Sequence, residues 1–305
     1  MKIAAAAYPI EWHNRWNDFV GKLRIWVRTA SEQGAELLVF PEYGAMELAS
    51  LAEEENTRDI ARSVAAVTAR LGDVDDLHAS LAREFGVFIC AASAPVRRKD
   101  GTLVNRARLF APDGSRGHQD KLVPTGIEGE DLGIAPGTGL TVFDTALGRI
   151  GIMVSGDAEV AAIARSLVAA GAEVLLVPGG ARRLQDYWRQ RVAAMARALE
   201  GRCAVVHAVA VGDADWLAAA NRNVGAAAIY GPFEPGFPDD GLVAIGKLNV
   251  AGWVHGEVAP DALRRARSEA AAPGPAELAA RDGRLPTVAI EALGGEAAPA
   301  PEDGG

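Results

Sequence analysis

The chain alternates between short, continuous apolar runs and longer segments with the period of a helix. The run AELLVFPE at 35–42 is almost entirely apolar, which is typical of a strand buried on both faces. Between 14 and 33 the apolar residues recur on one helical face, and Gly34 follows where a helix-ending glycine is expected. Strands that alternate with helices in this way predict an α/β fold with a largely parallel sheet.

The same patterns predict the remaining elements. Further helices are expected at 57–84, in two pieces broken near Gly72, at 160–170 and at 186–201. The expected strands are KIAAAAY (2–8), GVFICAASAP (86–95), RARLFAPDG (106–114), LTVFDTALGRIGIMV (140–154, two strands with a turn), AEVLLVPGG (172–180), CAVVHAVAV (203–211), AAAIYGP (226–232) and GLVAIGKL (241–248).

One internal echo bears on the domain organisation. QGAELLVFPE at 33–42 and AGAEVLLVPGG at 170–180 share a helix end, Gly-Ala-Glu, an apolar strand and a proline. Two such units predict a pseudo-symmetric α/β layer arrangement within one domain, at 1–265. From about 271 the chain turns to Ala, Pro, Gly and Glu, so 266–305 is predicted to be an extension that is partly disordered, in which 285–293 could form one late strand.

Composition narrows the classes of function. The 305 residues are 49% hydrophobic and carry a formal net charge of −9, so a nucleic-acid partner is not expected. Cys90 and Cys203 lie in apolar runs and His residues are scattered, so we expect neither a metal site nor any other cofactor. The N-terminus fits a first strand better than a signal peptide, and no apolar run reaches the length of a membrane span. We therefore expect a soluble, cytoplasmic protein that does not bind a membrane.

Four residues are candidates for chemistry, although each also has an ordinary interpretation. Glu42 ends a buried strand, where α/β sheets place ligands, but it could be a loop or capping carboxylate. Lys121 could stabilise an oxyanion or lie on the surface, and Glu128 stands in a polar, Gly-rich loop. Ser155 ends another buried strand at a sharp turn, but MVSGD lacks the G-x-S-x-G elbow of serine hydrolases.

The order of these residues, rather than any one of them, resembles the nitrilase superfamily of carbon–nitrogen hydrolases. Glu42 follows a strand, Lys121 comes about 80 residues later with Glu128 beyond it, and Ser155 stands at a strand–turn–helix junction. The resemblance covers most of 1–265, and its late segments look most like a bacterial amidohydrolase-like branch. It extends through GAELLVFPE, GRIGIMV, AAGAEVLLVP, RVAAMARALEGRCAVV, NVGAAAIYGP and GWVHGEVAPDALRRAR.

The resemblance implies a four-layer α-β-β-α sandwich and a homodimer or higher homo-oligomer in which sheets and helices continue between protomers. It also implies that Glu42 is the general base, that Lys121 stabilises the tetrahedral intermediate, and that Glu128 orients the site. In such enzymes a cysteine attacks a small amide or nitrile, whereas here Ser155 holds that position. The backbone N–H of Gly156 would be an oxyanion donor.

The substitution leaves three interpretations open: an engineered inactivation, a natural homologue that has lost activity, and a natural serine variant. Further departures at Gly156, Val160 and Ala161 favour natural divergence over a designed change. A serine is much less acidic than a cysteine thiol, and serine nucleophiles usually depend on a His base. We therefore expect a site that binds better than it turns over.

Three functions follow, namely a hydrolase of a small amide, a ligand-binding pseudoenzyme with the same pocket, and an assembly role in which the pocket is vestigial. The pocket walls are expected at 43–48, 124–135 and 180–187. Tyr43, Arg182 and Tyr187 are the candidate substrate-binding residues, and Arg183 beside them would also suit an anionic ligand. The alternative is a solvated helix start in which Asp186 is a first-turn carboxylate.

Overall fold

The computed structural model describes residues 1–269. Within them, thirteen strands form one sheet. The strands are β1 (Lys2–Pro9), β2 (Leu37–Val39), β3 (Phe88–Arg97), β4 (Leu103–Phe110), β5 (Arg116–Asp120), β6 (Val142–Thr145), β7 (Gly148–Ile152), β8 (Val174–Gly179), β9 (Ala204–Asp213), β10 (Arg222–Asn223), β11 (Ala228–Tyr230), β12 (Leu242–Ile245) and β13 (Gly252–Glu257).

Helices connect most of the parallel strands. The α-helices of the described part are α1 (Trp16–Glu32), α2 (Glu54–Thr57), α3 (Ile60–Phe85), α4 (Gly126–Glu130), α5 (Ala161–Ala169), α6 (Leu184–Gly201) and α7 (Pro260–Ser268). Short 3-10 segments cover Gly44–Leu51, Ser155–Glu159 and Ala218–Ala220.

The main path of the sheet runs β5-β4-β3-β2-β1-β9-β8-β7-β6 and folds into two facing halves. One apolar cluster packs α1 and α3 onto the first half, and another packs α5 and α6 onto the second half. A third cluster joins residues of β2 and β8, such as Val39 and Leu176, so it fills the space between the halves. The layers are therefore α-β-β-α, which confirms the fold class predicted from the sequence.

The two similar sequence segments, 33–42 and 170–180, form the same structural unit in the two halves of the sheet. β2 lies parallel between β1 and β3, and β8 lies parallel between β7 and β9. Gly34 and Gly171 both end the preceding helix with positive φ, at 83° and 98°. Glu36 and Glu173 each accept a backbone N–H from the neighbouring strand. The predicted repeat is thus the unit from which each half of the sheet is built.

The predicted break near Gly72 is wrong, because α3 runs without interruption over Ile60–Phe85. A glycine inside a helix costs about 1 kcal/mol relative to alanine. The buried face of α3, which includes Leu71 and Val74 on either side of the glycine, packs into the first apolar cluster. Packing of that face outweighs the local cost, so the helix continues.

The predicted domain limit at 265 lies inside α7, which ends at Ser268. The rest of the predicted extension from 270 onward, with the expected strand at 285–293, lies outside the described residues. Among residues 1–269 no helix combines the length and the apolar character needed to cross a membrane.

Candidate functional site

The candidate residues come from four separate segments that end at one edge of the sheet. Glu42 follows β2, Lys121 follows β5 directly, and Ser155 follows β7. β2 and β7 belong to parallel sets that are joined through the β1–β9 pair, so their carboxyl ends point the same way. Glu128, which the sequence placed in a loop, lies in the short helix α4 beside Lys121. Parallel strands thus collect residues that are distant in sequence.

Lys121 joins the two glutamates. Its Nζ donates to Oε1 of Glu42 at 2.8 Å and to Oε2 of Glu128 at 2.6 Å. The Lys121 side chain is 1% exposed, and the two carboxylates are 6% exposed. Ser155 lies beside Glu42, and its hydroxyl acts to lower the pKa of that carboxyl group. The structure therefore brings together all four candidate residues predicted from the sequence.

The charges of this cluster do not balance. Burial raises the pKa of Glu42 to about 7, with a further contribution from the negative charge of Glu128, although Lys121 opposes both. Burial also acts to raise the pKa of Glu128, but Lys121, the Thr125 N–H and the phenol of Tyr43 together lower it. One carboxylate thus stays ionised while the other can exchange a proton near neutral pH.

Lys121 itself stays protonated. Burial disfavours its ammonium, but contacts with Glu42 and Glu128 outweigh burial and raise the pKa of Lys121 above its usual range. A lysine held in this state is a fixed cation rather than a base. Proton transfer in the cluster therefore falls to Glu42.

Asn105 is a site residue that the sequence analysis missed. It lies on β4 and is fully buried, and its Nδ2 donates to Oε1 of Glu42 at 3.0 Å and to Oε1 of Glu128 at 3.1 Å. An amide that donates to both carboxylates holds them at a fixed separation without adding charge. The available signal was one uncharged polar residue within the strand LVNRARLF, which a pattern of apolar positions passes over.

Tyr43 lies within the cluster through contacts with Glu128. Its phenol donates to Oε1 of that residue at 2.7 Å. Its backbone is left-handed, with φ of 54°, a region that non-glycine residues seldom occupy. Tyr43 therefore belongs to the walls of the site, and its predicted contact with substrate stays a prediction.

The turn at Ser155 is strained and firmly tied. Ser155 has φ of 52°, and the 3-10 segment begins at this residue. Asp157 accepts backbone N–H groups from Leu122, Val123 and Val154, at 2.8–3.1 Å, so one buried carboxylate fastens the turn to the loop that follows Lys121. Strain of this kind persists only where the surroundings impose it.

Gly156 leaves open space beside that turn. A Cβ built at this position would meet only the carbonyl oxygen of Val123, at 4.0 Å. The role of its N–H as an oxyanion donor stays a prediction.

Arg182 and Arg183 make contacts elsewhere. Arg182 donates to Oδ1 of Asn221 at 3.1 Å, and Arg183 forms an ion pair with Asp186 at the start of α6. These described contacts do not involve the glutamate–lysine cluster. They match the alternative in which Asp186 is a first-turn carboxylate, and a substrate contact of either arginine stays a prediction.

Tyr187 is 1% exposed and lies nearly parallel to the ring of His207, with centroids 6.3 Å apart. The predicted wall at 180–187 meets the cluster at its first residue instead. A Cβ at Gly180 would stand 2.9 Å from Oε2 of Glu42, so only glycine leaves room there. The substrate contact predicted for Tyr187 likewise stays a prediction.

Two solved structures have the same fold. The chain superposes on yeast Nit3 (Saccharomyces cerevisiae), a member of branch 10 of the nitrilase superfamily, with a TM-score of 0.69 at 17% identity, covering 88% of this chain and 93% of the other. It superposes on an amidase from Nesterenkonia sp. with a TM-score of 0.64 at 21% identity, covering 88% and 94%. At these identities the likeness concerns the fold.

Proteins related in sequence include a probable hydrolase and an amidase. The chain is 30% identical over 267 residues to a probable hydrolase, YhcX, of Bacillus subtilis, covering 88% of this chain and 51% of that protein. It is 29% identical over 143 residues to a deaminated glutathione amidase of Yersinia enterocolitica, covering 43% and 50%. The chain thus spans about half the length of these relatives.

The sequence profile of the carbon-nitrogen hydrolase family matches residues 2–233, which is most of the chain. This match confirms the superfamily predicted from the sequence, while the amidohydrolase-like branch stays a prediction. The protein belongs to the carbon-nitrogen hydrolase family.

Proposed function

We propose that this protein hydrolyses a non-peptide carbon–nitrogen bond in a small amide, with Ser155 as the nucleophile. The observation that carries the proposal is that Glu42 accepts a hydrogen bond from the ammonium of Lys121 and lies beside the Ser155 hydroxyl, which acts to lower its pKa. A base on a hydroxyl and a fixed cation beside it are the two groups that acyl transfer needs.

In the first half-reaction Glu42 takes the proton of the Ser155 hydroxyl as its oxygen bonds to the amide carbon. Lys121 and the N–H of Gly156 stabilise the negative charge on the carbonyl oxygen. Glu42 then returns the proton to the leaving nitrogen, the carbon–nitrogen bond breaks, and an ester on Ser155 remains. Water attacks that ester with Glu42 as base, which releases the acid and restores the hydroxyl. Glu128 keeps Lys121 charged and in place throughout.

Relatives supply the substrate class for this proposal. One solved variant of the Nesterenkonia amidase carries acrylamide added at its active-site cysteine, and a second variant of that amidase holds butyramide. Sequence relatives include omega-amidases, as in Homo sapiens, and an aliphatic nitrilase of Sinorhizobium fredii. We therefore place small aliphatic amides first among the substrates and nitriles second.

Serine at the attacking position makes turnover slow. A thiol has an ordinary pKa of about 8.5 and loses its proton readily to a neighbouring base, whereas a hydroxyl is far less acidic. Glu42 with a pKa of about 7 is a weak base for that hydroxyl. The second candidate function, a pseudoenzyme that binds an amide without hydrolysing it or that serves an assembly role, rests on this mismatch.

Ammonia release from butyramide, acrylamide and an aliphatic nitrile separates the candidates when the parent and Ser155→Cys are assayed side by side. We expect measurable but slow turnover by the parent and at least about 10-fold faster turnover by Ser155→Cys. Ser63→Cys, at a buried serine in the first turn of α3, is the matched control and should behave as the parent does.

Binding of butyramide by calorimetry without turnover by either protein would favour the pseudoenzyme. If Ser155→Cys neither hydrolyses nor forms an adduct with any amide or nitrile, the hydrolase proposal fails.

We also propose that two copies pair through α6. Its outward face carries apolar side chains spaced by one or two turns, and these are between 44% and 62% exposed. They are Leu184, Trp188, Val192 and Leu199. Trp188→Glu should convert a dimer into monomers in sedimentation velocity, whereas Arg149→Glu on the sheet should leave the dimer intact. A parent protein that sediments as a monomer contradicts the pairing.

A cytoplasmic location is part of the proposal. Cys90 and Cys203 are both free and buried, which suits a reducing compartment. Cell fractionation with an antibody tests it, and recovery from the medium or the membrane fraction contradicts it.

A further inference from the structure

Ser93 holds the backbone on both sides of Glu42. Its N–H donates to the carbonyl oxygen of Pro41 at 3.1 Å, and its hydroxyl oxygen accepts the N–H of Tyr43 at 3.0 Å. The serine is fully buried, so neither bond exchanges with water. Glu42 is thereby held between Pro41 and Tyr43, which are both hydrogen bonded to Ser93.

A bulge in β3 points Ser93 at that segment. The pairing of β3 with β4 shifts between Ala91 and Ala94, which places Ser93 in the irregular stretch. Bulges re-aim a side chain next to functional sites. Arg108 on β4 fixes this one, since its Nη2 donates to the carbonyl oxygen of Ala92 at 3.0 Å.

The two hydrogen bonds of Ser93 to Pro41 and Tyr43, here called the clamp, also offset backbone strain. Tyr43 adopts φ of 54°, and an unsupported residue in this region would relax toward negative φ. Such relaxation would carry away the phenol that bonds Glu128 and the carboxylate that bonds Lys121. Accepting the Tyr43 N–H is the contribution of Ser93 that a smaller side chain lacks.

We propose that Ser93 is a positioning residue, which acts through Pro41 and Tyr43 to keep the Glu42 carboxylate against Lys121 and the residue at 155. The inference rests on the proposed function, because it presumes that Glu42 is the base. It adds a residue that makes no contact with the reacting atoms.

The experiment measures thiol reactivity, which needs no known substrate. In Ser155→Cys protein the introduced thiol reacts with iodoacetamide, and intact-mass measurement gives the rate as a function of pH. The natural thiols do not interfere, because Cys90 and Cys203 are buried and burial raises the pKa of each to about 12. The double variant adds Ser93→Ala. The matched control adds Ser63→Ala, which removes another fully buried serine hydroxyl, one that donates to carbonyl oxygens at 56 and 57.

We expect Ser93→Ala to slow the reaction at neutral pH by at least about 5-fold and to move the pH midpoint of reactivity upward. The contact with Lys121 lowers the pKa of Glu42. Loss of that contact therefore raises the pKa of the base, and the midpoint rises with it. Ser63→Ala should lower thermal stability to a similar degree without changing rate or midpoint. An unchanged midpoint with Ser93→Ala overturns the inference, whereas an unreactive Ser155→Cys parent overturns the proposed function instead.

A second measurement covers the case in which Ser93→Ala does not fold. The clamp requires that the Tyr43 N–H exchange with deuterium only through global unfolding of the unaltered protein. Exchange of that amide at the rate of an unprotected peptide would show that the hydroxyl of Ser93 does not hold it.

Discussion

Two buried glutamates five positions apart, Glu42 and Glu47, make nearly the same first contact. Each lies beyond β2, and their side chains are 6% and 1% exposed. Each accepts a hydrogen bond from a lysine Nζ, from Lys121 at 2.8 Å and from Lys22 at 2.7 Å. Their pKa values nevertheless move in opposite directions, upward for Glu42 and downward for Glu47.

The remaining neighbours explain the difference. Burial acts to raise the pKa of Glu47, but His13, Lys22 and the Tyr8 phenol, at 2.5 Å, all favour its ionised form. The N–H of Glu11 donates to it as well, at 3.2 Å. Glu42 has one cation, which it shares with the buried carboxylate of Glu128, and otherwise only the neutral groups of Asn105 and Ser155.

The number of donors and of neighbouring negative charges therefore separates a carboxylate that stays ionised from one that can exchange a proton near neutral pH. Glu47 is saturated with donors and so holds α1 and β1 to the 3-10 segment that carries it. Glu42 is short of positive charge and can accept a proton near neutral pH, as a general base should. Three pairs of experiments can break or sharpen this distinction.

The largest effect is expected for Glu42→Gln, placed in the Ser155→Cys protein. General-base catalysis contributes roughly 10²–10⁴-fold, so kcat/KM for the best amide should fall by about that factor. The free energy of unfolding should change by less than about 1 kcal/mol, because a buried carboxylate with raised pKa contributes little as an ion. Steady-state kinetics with chemical denaturation test both, and a loss below about 10-fold would remove Glu42 from the mechanism.

Glu47→Gln should do the reverse. It leaves Lys22, which is 9% exposed, with only the exposed carboxylate of Glu11 at 3.2 Å. Breaking a buried pair costs about 3 kcal/mol of unfolding free energy. The kcat/KM of the Ser155→Cys protein should stay within about 2-fold, since none of the Glu47 contacts reaches the cluster. Urea denaturation gives the stability. An equal loss of catalysis in the Glu47 and Glu42 variants would contradict the division of roles.

The tyrosines give a smaller, parallel test. Tyr43→Phe removes the donor to Glu128, and Tyr8→Phe removes the donor to Glu47. A hydrogen bond to a charged group contributes about 1.5 kcal/mol. We expect about 10-fold slower catalysis from Tyr43→Phe, and about 1.5 kcal/mol lower stability with unchanged catalysis from Tyr8→Phe. Swapped outcomes would show that the two clusters have been assigned the wrong way round.

The smallest effect is the pH dependence of stability, at most about 1.4 kcal/mol per pH unit for one group. The folded pKa of Glu42 exceeds its ordinary 4.5, so its stabilising contribution is present below that value and is lost as pH rises through about 7. Glu47 has a lowered pKa, so its contribution is present above 4.5 and is lost as pH falls through the folded value.

Denaturation curves across pH can separate these contributions. Between about pH 5 and about pH 8, Glu42→Gln should gain stability relative to the parent, because the variant lacks the loss at Glu42. The deficit of Glu47→Gln should instead shrink below about pH 4.5. Differences that do not vary with pH would contradict both assignments.

Much of the fold could be predicted because periodicity is a local property. The buried strand at 35–42, the helix that ends before Gly34 and the repeat at 170–180 all follow from apolar spacing and a glycine at each helix end. The continuity of α3 through Gly72 could not be predicted, since the buried face that outweighs the glycine packs on a distant sheet.

The candidate site likewise contains residues that the sequence indicated and residues that it did not. Order along the chain and strand ends indicated Glu42, Lys121, Glu128 and Ser155, because parallel strands place their carboxyl ends at one edge. Asn105 and Ser93 left no comparable signal. One is a single amide in a strand, and the other is a serine aimed by a bulge that depends on pairing between strands.

By itself the sequence determined the layers, the repeat, the family and the four residues of the cluster, since these depend on local patterns and their order. Only the tertiary structure decided that the pKa values of the two glutamates at 42 and 47 move in opposite directions. Both follow the same strand and look alike in sequence. Their pKa values depend on burial and on donors from β1, α1, β4 and α4, which come together only when the chain folds.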